Sequence, residues 1–475
     1  MRPKNSSARD QLPALLRRKP GAKAAELAEL AGVSGPTMLR MLAEVAGESA
    51  EEVMRWGRAG RTRYFLRRSL RGQWAQMPLY RIDAAGQAHT AGLVQLLAPA
   101  GTCLDVAAMG WPVDEEVADG LWPFGLPYPL QDMRPQGYLG RQFALRHAAT
   151  LCVAPSPQSW GDDDVLHIVC ATGTDTSGNL ILGDMALQAW LYAKAQPEPL
   201  IADADVAEAY ADLAVQASAR GVPGSSAGGE FPKFTARRAV PPGVASDTPH
   251  VIVKFSGADA SSTVQRWADL LVCEHLALQA AADLPGTRSA RSRLLQHAGR
   301  TFLEVERFDR HGPHGRSALC SLSTLEAAIG PRGSNTWPEA AALLNSQGWL
   351  DADSLAVVQR LWWFGKLIAN TDMHHGNLSL LPGNGVVQLA PTYDMLPMQY
   401  APLAGGELPT SMYAPALPAP QDRAIWLDAS VAALQFWRSA AADMRISEGF
   451  RTICAENQGR LEALHNLARG DLLLF

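Results

Sequence analysis

The spacing of apolar positions changes several times along the chain, and each change marks an element. In AAELAELAGVSGPTMLRMLAEVA, Leu27, Ala28, Leu30 and Ala31 share a helical face, the pattern breaks at Gly32, and a second helix restarts after Ser34 with Pro36 early in it. The stretch RWGRAGRTRYFLRR then reads as strand, glycine-containing turn and strand. From residue 73 to about 200, short apolar segments (AGLVQLLAP, DVLHIVCAT, NLILGD) alternate with Pro- and Gly-bearing turns and the helical patch DMALQAWLYAKA, which predicts an α+β subdomain. The acidic run GDDDV inside it reads as a solvated loop. HVIVKFS has the β-branched pattern of a buried strand, RWADLLVCEHLALQAAADL has helical spacing, and TFLEVERFDR is extended again. A helix through WWFGKLIAN ends near Asn370, and a PGNG turn joins two short apolar strands. AVPPGVASDTPH and YAPLAGGELPTSMYAPALPAPQD predict loops.

At 475 residues the chain calls for two or three domains. No apolar run approaches the ~18 to 20 residues of a membrane span, and MRPKNSSARD lacks the apolar core of a secretory signal, so a cytoplasmic protein with no membrane contact is expected. Cys103, Cys152, Cys170, Cys273, Cys320 and Cys454 form no C-x-x-C pair and are expected as buried free thiols. Charge is uneven: residues 1–72 carry 15 Lys and Arg against 7 Asp and Glu, the remainder 27 against 40. A basic head on an acidic body points to a polyanionic partner. With its two short helices and basic hairpin, the head predicts a winged helix-turn-helix over residues 1–72, with Ser34, Thr37 and Arg40 toward the major groove of DNA and Arg58, Arg61 and Arg63 on phosphates.

The chemistry gathers later. GVPGSSAGGEFPKFTARR offers a small-residue loop whose backbone amides could approach phosphates. Lys254 interrupts the apolar run of a buried strand and needs an anionic partner, and Glu274 on the following helix is the natural one. A strand lysine and a helix glutamate are what kinases use at the α/β-phosphates. Glu306 and Phe308 fall where a hinge would meet the adenine. Asp372 and Asn377 stand five positions apart, and Asp394 follows the hairpin, the order of the kinase catalytic loop and second metal-binding aspartate. An amide oxygen and a carboxylate suit Mg²⁺ shared with a triphosphate, which frees Asp372 to receive the acceptor's proton. A transition-metal site at Asp372, His374 and His375 is the competing reading, disfavoured because adjacent loop histidines point apart.

On the motifs SSAGGE, IVKF, VERFDR, TDMHHGN and YDMLP the sequence resembles the HipA family of serine/threonine kinase toxins, most closely the YjjJ-like branch with a fused N-terminal DNA-binding domain, over roughly residues 120–440. The resemblance implies a two-lobed kinase-like α+β fold: an α+β N-terminal subdomain at 73–200, a kinase N-lobe at 201–310 and a helical C-lobe at 311–475. It implies ATP and Mg²⁺ as cofactors, held through Ser226, Ala227, Gly228, Gly229, Lys254, Glu274, Glu306, Phe308 and His374, with Asn377 and Asp394 on the metal and Asp372 as catalytic base beside Lys254. Ser225 falls at the family's autophosphorylated serine, with Ser226 equally placed. A protein substrate, such as a translation factor, is implied, as is an antitoxin partner, although the fused DNA-binding segment leaves open whether a separate antitoxin is needed. The family loop usually carries Gln where this chain has Glu230 and Phe231, which would set a carboxylate beside the phosphates. A nucleotide-sensing transcription regulator and a small-molecule kinase are the alternatives.

Overall fold

The computed structural model describes residues 9–48, 53–57, 62–73, 77–196, 198–219, 230–240, 243, 244, 246, 248–328 and 334–470. Three helices, Leu12–Arg18, Ala24–Leu30 and Gly35–Glu48, and an antiparallel pair of strands, Val53–Trp56 and Arg63–Leu66, surround a small core of Leu12, Leu16, Leu27, Met38, Leu42 and Tyr64. Local chemistry sets the two inner helix starts. Glu26 turns back to accept from its own helix-entry amide, Lys23 N, at 2.7 Å, and the Ser34 hydroxyl caps the third helix by accepting from Thr37 N at 3.4 Å. Gly32, at φ +64°, makes the reversal between them.

Five antiparallel strands follow, in spatial order Leu121–Trp122, Gly101–Cys103, Ala88–Leu97, Met77–Ile82 and Leu180–Leu182. The N-terminal hairpin continues onto this sheet, since Arg68 N donates to Leu96 O at 3.0 Å and Ala98 N to Leu66 O at 2.8 Å. The GDDDV run is not a solvated loop: it forms the first turn of the helix Asp162–Thr172, where carboxylates complement the helix dipole. Each aspartate there also meets an arginine from another element, Arg134 at 3.2 Å, Arg68 at 2.5 Å and Arg71 at 2.5 Å. Nor are all the cysteines buried, because Cys152 is exposed and Cys170 partly so.

A second antiparallel sheet has the order Ser292–His297, Arg300–Glu306, His250–Phe255, Lys233–Arg237. Alternation along its strands divides its two faces. Val251, Val253, Phe255 and Phe302 pack beneath the helix Val206–Ala219, while Leu303 and Val305 face the helix Ser262–Ala282. The remaining body is helical, with Trp337–Ser346, Ala352–Leu367, Arg423–Ala442 and Glu448–Arg469 packed around Trp337, Trp426, Phe436 and Trp437. Asn384 and Gly385, at φ +58° and +88°, turn the hairpin Ser379–Gly383/Val386–Leu389. One continuous apolar core joins the five-stranded sheet, the helix Ser262–Ala282 and the helical body. Among the described residues no helix is long and apolar enough to cross a membrane.

Candidate active site

Since Val251, Val253 and Phe255 turn to the covered face of their strand, Lys254 points the other way, into the cleft. Its ammonium donates to both Glu274 oxygens, at 2.6 and 2.7 Å, and to Asp394 Oδ1. The lysine is 6% exposed and Glu274 1%. Burial alone would drive the ammonium toward neutrality, but Asp394 and Glu274 outweigh it and hold its pKa well above the ordinary value. Burial likewise opposes ionisation of Asp394, yet Lys254 overcomes it and holds that carboxyl at about 2. For Glu274 burial prevails, raising it to about 7 against the pull of Lys254.

Asn370 joins the two loops of the site: its Oδ1 accepts from Asp372 N at 3.0 Å and its Nδ2 donates to Asp394 O at 3.3 Å. Asn377 closes the loop by donating Nδ2 to Asp372 O at 2.8 Å. Trp337 Nε1 donates to His374 O at 3.0 Å, and His375 pairs with Glu326 at 2.6 Å. The Asp372 side chain is thus left on an exposed position of a loop whose backbone is tied down. Desolvation raises its pKa, Asp394 and Glu230 add to the rise, and His374 and Lys233 oppose it. Such a shift suits a proton acceptor. Asp394 itself has φ +54°, a left-handed backbone that Asp tolerates and that tends to occur at functional sites.

The donors fit a hard cation. Asn377 gives its amide nitrogen to Asp372 O, which leaves Oδ1 as the end able to face a metal, and Asp394 is ionised. No group of three or more His, Cys, Asp and Glu side chains among the described residues could hold a metal ion. One amide oxygen and one carboxylate match Mg²⁺, which keeps waters and takes phosphate oxygens, better than a dedicated protein cage. His375 faces Glu326 instead of sharing ligands with His374, contrary to a transition-metal site.

Other residues singled out by the sequence fall in three groups. Glu306 ends the strand Arg300–Glu306 with its carboxylate on Arg238 at 3.0 Å, and Phe308 lies beside the Tyr393 ring with centroids 5.8 Å apart. Arg307 and Arg310 are fixed by Asp309 and by Asp175 from the preceding domain. Far from the cleft, Ser34, Thr37 and Arg40 share the start of one helix, where Ser34 is bonded to the Thr37 hydroxyl at 2.8 Å, Arg40 is exposed, and Arg63 is exposed on its strand. Ser225, Ser226, Ala227, Gly228, Gly229, Arg58 and Arg61 lie outside the described residues.

Sequence reasoning missed Lys233. Its Cα pairs directly with that of Lys254 across adjacent antiparallel strands, so both ammonium groups share the cleft face. Like charges so placed repel unless anions compensate, and here Lys233 lowers the pKa of Glu274, Asp372 and Asp394. Its direct partner is Glu230 at 2.9 Å. That glutamate also takes Arg141 Nη2 at 2.9 Å, so two cations pair with it.

Residues 73–191 match the model of the YjjJ-like toxin middle domain, and residues 225–459 that of the HipA-like C-terminal domain. The chain is 38% identical over 435 residues to Toxin YjjJ of Escherichia coli strain K12, covering 91% of this chain and 93% of that one. Among solved structures, the Shewanella oneidensis MR-1 toxin–antitoxin complex of HipA, HipB and operator DNA is similar at 14% identity, covering 84% of this chain and 100% of that one with a TM-score of 0.46. The Helicobacter pylori proinflammatory kinase CtkA is similar at 13% identity over 54% of this chain and 96% of its own, with a TM-score of 0.35. By its identity to the curated toxin over nearly the whole of both chains, this chain belongs to the YjjJ-like toxins, whose C-terminal domain is HipA-like.

Proposed function

We propose that the chain is an ATP- and Mg²⁺-dependent serine/threonine protein kinase of the HipA type that works in the cytoplasm and carries its own DNA-binding head. The observation that carries this reading is the buried Lys254, held between Glu274 and Asp394, with Asp394 tied through Asn370 to the loop of Asp372 and Asn377. A buried lysine needs one counter-charge. Of the two carboxylates around it, Asp394 stays ionised on a left-handed backbone, as a ligand for a hard cation must.

In this reading Lys254 and Lys233 bind phosphate oxygens of ATP, and Phe308 and the backbone near Glu306 border the adenine. Asn377 and Asp394 would hold Mg²⁺, which when bound neutralises charge on the phosphates. Asp372 orients the acceptor hydroxyl and takes its proton, a task its raised pKa favours. The acceptor is a protein serine, with Ser225 or Ser226 the self-acceptor. Thr37, Arg40 and Arg63 contribute to DNA contact. Asp372→Asn is expected to lower phosphoryl transfer by roughly 10²- to 10⁴-fold while ATP binding measured by calorimetry stays nearly unchanged. Transfer at the wild-type rate by that variant would contradict the assignment.

A further inference from the structure

Glu230 occupies a cradle built by a different domain. Its carboxylate lies against the N-terminus of the helix Gly137–His147, where the Tyr138 backbone amide favours its charge and Arg141 donates to it. A Cβ on Gly137 would stand 2.6 Å from Glu230 Oε1, so only glycine permits this approach. The next residue fixes the direction of the chain: Phe231 is buried against Trp267, with ring centroids 4.6 Å apart, and lies under Lys254. Glu230 must therefore point to the middle domain while Phe231 points to the cleft.

Two cations share this one carboxylate, Arg141 and Lys233, each at 2.9 Å. Their situations differ. Lys233 lies cross-strand from Lys254 and within reach of the Asp372 and Asp394 charges, whereas Arg141 stands at the rim with 39% of its side chain exposed. A phosphate competes with Glu230 for the Lys233 ammonium, and a carboxylate left less fully paired near a triphosphate repels it. Arg141 removes that obstacle, because its guanidinium and the helix-start amide still satisfy Glu230 after the lysine has gone.

We propose that Arg141 is a positioning residue of the nucleotide site supplied by the middle domain: it retains the Glu230 carboxylate on the helix Gly137–His147 and so releases Lys233 to the phosphates of ATP. The proposal rests on the kinase reading above. It gives the middle domain a share in the transfer site, and it explains how a glutamate is tolerated at the end of the phosphate loop.

The test is calorimetric binding of Mg-ATP to the full chain and to Arg141→Ala, Glu230→Gln and the double variant, with thermal unfolding in the absence of nucleotide as the control for folding. Arg141→Ala is expected to weaken ATP binding about tenfold, the loss of one charge-assisted partner. Glu230→Gln should bind no more weakly than wild type, since it removes the competing charge. Adding Glu230→Gln to Arg141→Ala should restore the affinity, which a merely structural role for Arg141 would not do. Unchanged affinity in Arg141→Ala, or a double variant as weak as the single, overturns the proposal and leaves the kinase reading standing. A wild-type chain that binds no nucleotide contradicts both.

Discussion

At the scale of single residues, the site is governed by charges that cannot be removed one at a time. Lys254→Met would leave Glu274 buried beside Asp394 without its direct partner, with only the charge of Lys233 to compensate, and breaking a buried pair in this way costs about 3–5 kcal/mol. Urea unfolding should show that loss, and a variant as stable as wild type would contradict the buried triad. His250 makes a pH prediction. Burial depresses its pKa from 6.5 to about 4, with Pro313 O and Asp175 opposing. The folded state thus binds the proton less readily than the unfolded state, so stability is complete above pH 6.5 and falls as pH drops toward 4. His250→Gln should flatten the unfolding-temperature profile across that window, and an unchanged slope would refute this origin. Lys254 was legible in the sequence because one charge in an apolar strand demands a partner. Lys233 was not, because KFTARR reads as an ordinary polar strand and its meaning comes from a register with residues some twenty positions away.

At the scale of elements, the same limit applies to ion pairs between distant segments. The three aspartates of the GDDDV run were visible, but their partners were not: Arg68 lies 95 residues from Asp163 and Arg71 93 from Asp164. The turn after the strand Arg300–Glu306 is held in a similar manner. Asp309 accepts from Arg307 and Arg310, and burial, which would raise its pKa, is outweighed by those two cations so that it stays at about 2. Asp309→Ala should destabilise the protein by about 3–5 kcal/mol, read from the urea midpoint at neutral pH. Because the same turn borders the proposed adenine position, ATP affinity should fall together with stability. Loss of neither would mean that the arginines find other partners. Helix and strand identities were readable where the period was sustained, as in the helix Ser262–Ala282 with its cap at Ser261, whose hydroxyl accepts from Val264 N.

At the scale of the whole molecule, the basic head is fastened to the body by backbone hydrogen bonds to Leu96 and from Ala98, by the Arg68 and Arg71 ion pairs, and by Met54 and Phe65 packed on Leu97, Cys103 and Leu121. Cutting the chain after residue 72 would therefore expose apolar surface on the five-stranded sheet, and point substitution is the cleaner test of DNA binding. Arg40→Ala, with an exposed side chain on the third helix, should weaken DNA binding and lower the slope of log affinity against log salt by about one. An unchanged slope would remove Arg40 from the interface. The charge asymmetry that suggested this head was legible from composition, whereas its docking on the middle domain, and the pairing of that domain's Arg141 with Glu230, depend on contacts that no local pattern carries.

Phosphoryl transfer is decided by incubating the full chain with Mg²⁺ and γ-labelled ATP beside Asp372→Ala and mapping the labelled residue. Label on Ser225 or Ser226 in the wild type, and none in the variant, is expected. A wild type that binds ATP yet leaves every residue unlabelled would contradict it and identify the kinase-like body as a nucleotide sensor.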